Sequence, residues 1–249
     1  MLHPKTRYRV PLALAAALLL VAGIAVALHA RGRTERLGLF TTLPILWAEA
    51  STVRDMLHDE APPHWAKAAL TAKAALEPLD ALSDGAGRSR LDGLDLLVMA
   101  QPRPLSPSEN VALDRWVRHG GHLLLFADPM LTGESRFALG DKRRPQDVVL
   151  LSPILHRWGL TLQVDETHAQ GAFFIAVLGV QIPVNLPGTL AISADAKGCA
   201  SLGDGLVAQC RIGAGKVLVI ADAAVLEADS EPDVASRRAV LERLLTQLD

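Results

Sequence analysis

Aromatic residues are scarce in this chain: Phe, Trp and Tyr account for 4% of its 249 residues. That weighs against a carbohydrate-binding β-sandwich, and the abundance of Leu, Ala and Val favours a packed α/β core. An excess of either charge is missing too. The formal net charge is -2, so nothing points to nucleic acid. Histidines stand at positions 3, 29, 58, 64, 119, 122, 156 and 168, with no HxH or HExxH pattern and no cluster with cysteine. A metal site therefore has little support. There is no GxSxG elbow and no GxGxxG, so neither a serine hydrolase of that type nor a dinucleotide site has a motif, and no cofactor is expected. The run Gly213-Ala214-Gly215-Lys216 has the look of a phosphate loop. It lacks the following Ser or Thr and leads into a strand, so it reads as a tight hairpin turn.

One long apolar run is present. Residues 10–30 carry no charge. At about 1.5 Å per residue, a helix of that length spans the roughly 30 Å hydrocarbon core of a bilayer. Lys5, Arg7 and Arg9 precede it, and Arg31, Arg33 and Arg36 come after it, offset by Glu35. The flanking charges nearly balance. Residues 1–9 are too few to form a domain, so they are expected to stay in the cytoplasm while residues 37–249 are exported. The competing reading is a cleaved signal peptide, with Ala25-Val26-Ala27 or Leu28-His29-Ala30 as cleavage patterns. The run is longer than the roughly 7–15 apolar residues of such signals. The expectation is a single-pass bacterial inner-membrane protein anchored by residues 10–30, with its C-terminal domain in the periplasm.

The two cysteines, Cys199 and Cys210, flank an Asp204-Gly205 pair. That pair suits a two-residue hairpin turn, because both positions must tolerate φ > 0. Pairing outward sets Leu202 opposite Val207 and Cys199 opposite Cys210, within disulfide range. A bridge fits an oxidising compartment. The alternative is two buried thiols sharing a hairpin.

The clearest local signal is residues 94–128, LDLLVMAQPRPLSPSENVALDRWVRHGGHLLLFAD. Residues 94–100 and 122–127 are nearly continuous apolar runs, as expected of strands covered on both faces. Between them, Ser106 and Glu109 form a capping box, Pro107 suits the first helical position and Gly120 the C-terminal stop. Two buried strands joined through a helix make a βαβ crossover and a parallel sheet. A first strand is expected over 37–45, ended by Pro44, then helices over 47–57 and 64–73 and a short strand over 75–79. Residues 131–148 read as a long covering loop. A short helix from Ser152 closes at Gly159, with a strand over 160–164 after it. A β excursion over 172–180 and 181–184 leads to strands at 190–193 and 216–221. An amphipathic helix over 232–248 closes the chain. The expected fold is α/β: a mostly parallel sheet with helices on both faces, a β-hairpin excursion and one N-terminal transmembrane helix.

Gln101, Asp128 and Asp222 fall at expected carboxyl ends of strands, where open parallel sheets bind ligands. Glu49 is placed to join them. If the strands are neighbours, these side chains converge on one crevice, as ligand contacts or as a carboxylate cluster for hydrolysis. The alternative is that Asp128 and Asp222 each cap the segment after their strand. Arg143 and Arg144 in the long loop are candidates to pair with these carboxylates or to stay solvated.

The segments LDLLVMAQP, LSPSENVALDRWVRHGGHLLLFADP and GAGKVLVIADAAVLE resemble the class I glutamine amidotransferase-like fold. More specifically, they resemble the exported domain of gliding-motility-type ABC transporter auxiliary proteins, and a bacterial family of unknown function with one anchor. The resemblance covers residues 37–226. In the enzymes of that fold, the second strand ends at a nucleophilic Cys. Here the turn reads Phe126-Ala127-Asp128-Pro129-Met130, so their acyl transfer carries over to no residue. The auxiliary proteins also carry a second membrane helix where this chain has its amphipathic one. The resemblance implies a flavodoxin-like, non-enzymatic binding or scaffold domain beside an ABC transporter permease or another envelope protein. A carboxylate-based hydrolase and a small-ligand sensor are the alternatives.

Overall fold

A computed structural model describes residues 35–47, 49, 64–165, 171–227 and 233–248. The chain divides into two units, Met1–Glu35 and Arg36–Asp249. The expected cytoplasmic segment 1–9, the anchor 10–30 and nearly all of the helix expected over 47–57 lie outside the described residues. Among the described residues, no helix is long and apolar enough to cross a membrane.

The second unit is built on a seven-stranded sheet. Its members are β1 (Arg36–Thr41), β2 (Ala75–Pro78), β3 (Leu96–Ala100), β4 (His122–Phe126), β9 (Cys199–Leu202), β10 (Val207–Ile212) and β11 (Gly215–Ile220). Across the sheet they run in the order β2-β1-β3-β4-β11-β10-β9. The pairs from β2 through β11 are parallel. The two pairs that β10 makes, with β11 and β9, are antiparallel. Two smaller antiparallel pairs are β5 (Leu160–Val164) with β8 (Gly188–Ile192), and β6 (Ala172–Val177) with β7 (Val180–Asn185).

The side-chain period of two assigns alternate residues of each central strand to opposite cores. Leu39, Val98, Leu124 and Leu218 enter one core, which also holds Leu70 of α1 (Trp65–Lys73) and Leu241 and Leu244 of α4 (Asp233–Thr246). Phe40, Leu97, Leu125 and Val219 enter the other, with Leu113 and Val117 of α2 (Pro107–Arg118) and Ile154 and Leu155 of α3 (Ser152–Arg157). A sheet covered on both faces explains why its strands read as unbroken apolar runs.

The crossover forms as its local signals dictate. Ser106 Oγ accepts from the Glu109 N–H, and Glu109 reaches back to the Ser106 N–H. Glu109 also accepts from the Leu82 N–H and from both Nη atoms of Arg103. Burial alone would raise this carboxyl, but those donors outweigh it and hold Glu109 at about 2. At the far end of α2, buried Asp114 accepts from Arg118, Arg157 and the Trp158 indole. That side chain therefore ties α2 to α3. The expected tight turn also forms at Gly213-Ala214, where the Ala214 N–H reaches Arg118 O. A Cβ at Gly215 would lie 2.2 Å from Val117 O, so only glycine lets this hairpin pass beneath the helix.

Several expected boundaries move, two of them for a visible local reason. The first strand ends at Thr41, before Pro44. Thr41 Oγ1 donates to Ala100 O and accepts from the Leu43 N–H, which turns the chain out of the ladder. The excursion breaks at Leu178-Gly179, with φ of 55° and 78°, two residues before the expected break. Apolar Leu178 hides a turn that sequence rules assign to Asn, Asp or Gly.

The cysteine hairpin matches its expected register. Leu206 N–H bonds to Gly203 O, Asp204 and Gly205 have φ of 53° and 92°, and Leu202 faces Val207. Cys199 and Cys210 are opposed and disulfide-bonded, closing a loop with a sequence separation of 11. Closing a loop of that length removes about 3 kcal/mol of unfolded-state entropy. Cys199→Ala combined with Cys210→Ala is expected to lower unfolding stability by about that amount. Chemical denaturation of oxidised wild type and double variant measures it, and equal midpoints would refute the contribution.

Candidate functional site

β3, β4 and β11 are neighbours, so the residues after their carboxyl ends meet. Gln101 and Asp128 are fully buried and Asp222 is nearly so. The structure brings these side chains together beneath the loop 129–148. It does not bring Glu49 to them. The Glu49 carboxylate is taken by Ser135 Oγ at 2.8 Å and by the Arg136 N–H at 2.6 Å, inside the long loop. Arg143 pairs with Asp141, and Arg144 with Asp147. Neither loop arginine pairs with Asp128 or Asp222.

Gln101 stands at φ +43°, a left-handed conformation that costs a non-glycine residue about a kcal/mol or more. That backbone aims the side-chain amide along the end of the sheet. Oε1 accepts from the Asp128 N–H at 3.0 Å, and Nε2 donates to Asp128 O at 3.0 Å and to Gln146 O at 2.8 Å. The amide thus pairs with both backbone groups of Asp128, as a peptide unit of a next strand residue would. It also holds the returning end of the long loop.

The two aspartates share a common plan. Asp128 Oδ1 accepts from the Met130 N–H at 2.8 Å, and Asp222 Oδ1 from the Ala224 N–H at 2.6 Å. Each is a local turn of the kind that Asp favours. The second oxygens reach across segments. Asp128 Oδ2 accepts from the Ala223 N–H at 3.1 Å, and Asp222 Oδ2 from the Asn185 N–H at 2.9 Å. Every carboxylate oxygen of the pair therefore faces a backbone N–H. One oxygen of each residue thus closes a local turn and caps no helix, since the 3₁₀ turn after Asp222 starts at Ala223 without a side-chain cap, and the other oxygen stitches β4, β11 and β7 together.

A third acid, Glu227, completes the cluster. It comes directly after the 3₁₀ turn Ala224–Leu226. Its Oε1 accepts from the Gly133 N–H at 3.1 Å, and its Oε2 from Thr132 Oγ1 at 3.4 Å. Nothing in the sequence singled it out, because its partners lie more than ninety positions earlier. The one available signal was an acid placed just after a short apolar turn.

Burial first, and the nearby Glu227 charge after it, push the Asp128 carboxyl up to about 7 against the pull of its two N–H donors. Burial, then the Asp128 charge, drive Asp222 well above the usual carboxylate range. Burial also raises Glu227. Chemically the arrangement binds backbone donors and protons. Among the described residues, no group of three or more His, Cys, Asp or Glu side chains is arranged to hold a metal ion.

Replacing Gln101 by Ala would strand the buried N–H and C=O of Asp128. Each unsatisfied group costs about 1–3 kcal/mol. Gln101→Ala is expected to lose about 2–4 kcal/mol of stability, and Gln101→Glu to lose a similar amount by removing the donor to Asp128 O. Urea titration of both variants reads the effect, and a change below about 0.5 kcal/mol would refute the role.

The fold is similar to solved structures of low sequence identity. The "mmIFT52 N-terminal domain" aligns with a TM-score of 0.50 at 13% identity, covering 84% of this chain and 96% of that one. The "Cytoplasmic Protein STM3548 from Salmonella typhimurium" aligns with a TM-score of 0.52 at 9% identity, covering 86% of this chain and 98% of that one. At such identities the likeness concerns the fold alone. No curated protein matches the sequence significantly. Residues 69–178, which include Gln101 and Asp128 but neither Asp222 nor Glu227, match the family model described as an ABC-type uncharacterized transport system.

Proposed function

We propose that this chain is a non-enzymatic auxiliary component of an ABC-type transport system. In this reading, residues 10–30 anchor it in a bacterial inner membrane, and the α/β unit is a periplasmic binding or scaffold domain on an amidotransferase-like framework. The observation that carries the proposal is the match of residues 69–178 to the transport family. The site supports it. On the amidotransferase resemblance, the nucleophile position would fall at Asp128, whose two oxygens already accept N–H bonds. A carboxylate hydrolase needs an acid free to attack or to exchange a proton with substrate. Asp128 and Asp222 are instead buried and engaged by four backbone donors.

The test is affinity capture of the tagged, full-length chain from detergent-solubilised membranes of its native host after mild crosslinking. The expected result is co-recovery of a permease or ATP-binding subunit of an ABC-type transporter. Recovery of the chain in the soluble fraction, or in membranes with no ABC-type subunit, would overturn the proposal.

A further inference from the structure

We propose that Asp128, Asp222 and Glu227 share a proton that resides on Glu227 Oε2, and that this proton sets how firmly the loop 129–148 is clipped over the end of the sheet. The inference does not depend on the transport reading.

Consecutive backbone groups, the N–H of Ala223 and that of Ala224, donate to different acids, Asp128 and Asp222. The two carboxylates therefore hold the successive peptide units on either side of Ala223. Glu227 lies at the other end of the same short turn, where its own N–H bonds to Ala224 O. The acids clip distinct segments. Asp128 joins the start of the loop to the turn, Glu227 holds the loop at Thr132 and Gly133, and Asp222 holds β7 at Asn185.

Among the described residues, counter-charge is sparse. From α4, Arg237 reaches Ala224 O and attracts Glu227, but it is also paired with Asp233. The loop contributes Arg143 and Arg144, which are spent on Asp141 and Asp147, the latter arginine also feeling Glu49. The loop's other charged side chains are Glu134, Arg136 and Lys142, and none of them is among the leading influences on the three acids. β7 carries no titratable side chain. The charged residues of β4 and β11, His122 and Lys216, sit at the opposite ends of their strands. Clustered acids buried with so little compensation cannot all ionise cheaply, so the trio keeps a proton above the ordinary carboxylate range.

Hydrogen bonding decides where the proton sits. An N–H donor cannot accept, so a proton on either aspartate finds no acceptor in the backbone N–H groups that its oxygens face. Glu227 also draws on the Thr132 N–H, but among the described residues its Oε2 is the one carboxylate oxygen of the cluster facing a hydroxyl, Thr132 Oγ1. A hydroxyl reverses roles by rotation. With the proton on Oε2, Glu227 donates to Thr132 and Oε1 still accepts from Gly133.

Linkage fixes the direction with pH. The three acids titrate as a coupled set, and burial raises the folded-state value of each above the ordinary one, Asp128 to about 7. Their contribution is fully present below about pH 4 and is lost as pH rises through the folded values. The clip therefore loosens on the alkaline side of neutrality.

The test is hydrogen exchange on the intact chain at about pH 6 and about pH 8.5, corrected for the intrinsic rate at each pH. In wild type, protection within residues 130–148 is expected to fall several-fold at the higher pH, while β4 and β11 stay protected. Glu227→Gln mimics the protonated acid, since its amide donates to Thr132 and accepts from Gly133. It is expected to keep the protection at both pH values. Asp222→Asn, which must turn an NH₂ toward a backbone N–H, is expected to lose protection at the amides that Asp222 holds, those of Asn185 and Ala224, at both pH values. Constant wild-type protection across the pH range would overturn the proposal without recourse to any variant. Loosening of Glu227→Gln at about pH 6, or tolerance of Asp222→Asn at both pH values, would overturn the placement of the proton.

Discussion

The pairing of the Gln101 amide with the backbone of Asp128 is the contact on which the closed end of this sheet depends. A parallel sheet buried on both faces leaves polar backbone groups at the carboxyl ends of its strands, and a loop laid over them removes water as a partner. Gln101 takes a left-handed backbone to supply an acceptor, and two donor bonds, at that point. Asp128 and Asp222 then satisfy the N–H groups of the segments that leave the sheet. An apolar side chain at any of these positions would bury unpaired peptide groups.

The same end of the sheet concentrates negative charge. The helix pair α2–α3 shows the contrasting solution, in which buried Asp114 meets two arginines and an indole and its carboxyl is lowered despite burial. Beneath the loop, the acids meet mainly backbone donors, and burial wins. The sites diverge because Asp114 lies closer to solvent and was given cations, whereas Asp128 and Asp222 lie deeper and were given amides.

Much of this was legible locally. The capping box at Ser106 and Glu109, the Gly120 stop and the flanking apolar runs specified the crossover, because each signal is a short-range hydrogen-bond or burial requirement. The Asp204-Gly205 turn set the register that brought the cysteines face to face. Gln101, Asp128 and Asp222 could be placed at strand ends from the runs preceding them. Their convergence required the order β3-β4-β11, which depends on where a strand from far along the chain inserts beside β4. Glu49 was drawn toward the same crevice by its position after β1, but loop donors at Ser135 and Arg136 claimed it instead.

The sequence by itself determined the periodicities: which residues are buried on both sides, where α2 starts and stops, and which cysteines oppose each other. Those features obey backbone sterics and hydrogen-bonding rules that act over a few residues. Only the tertiary structure decided that Glu227 joins Asp128 and Asp222, that Gln101 serves as a surrogate peptide, and that the loop arginines stay with their own aspartates. These depend on which segments pack against one another, and on the dielectric and donors that packing leaves behind. No spacing along the chain encodes that information.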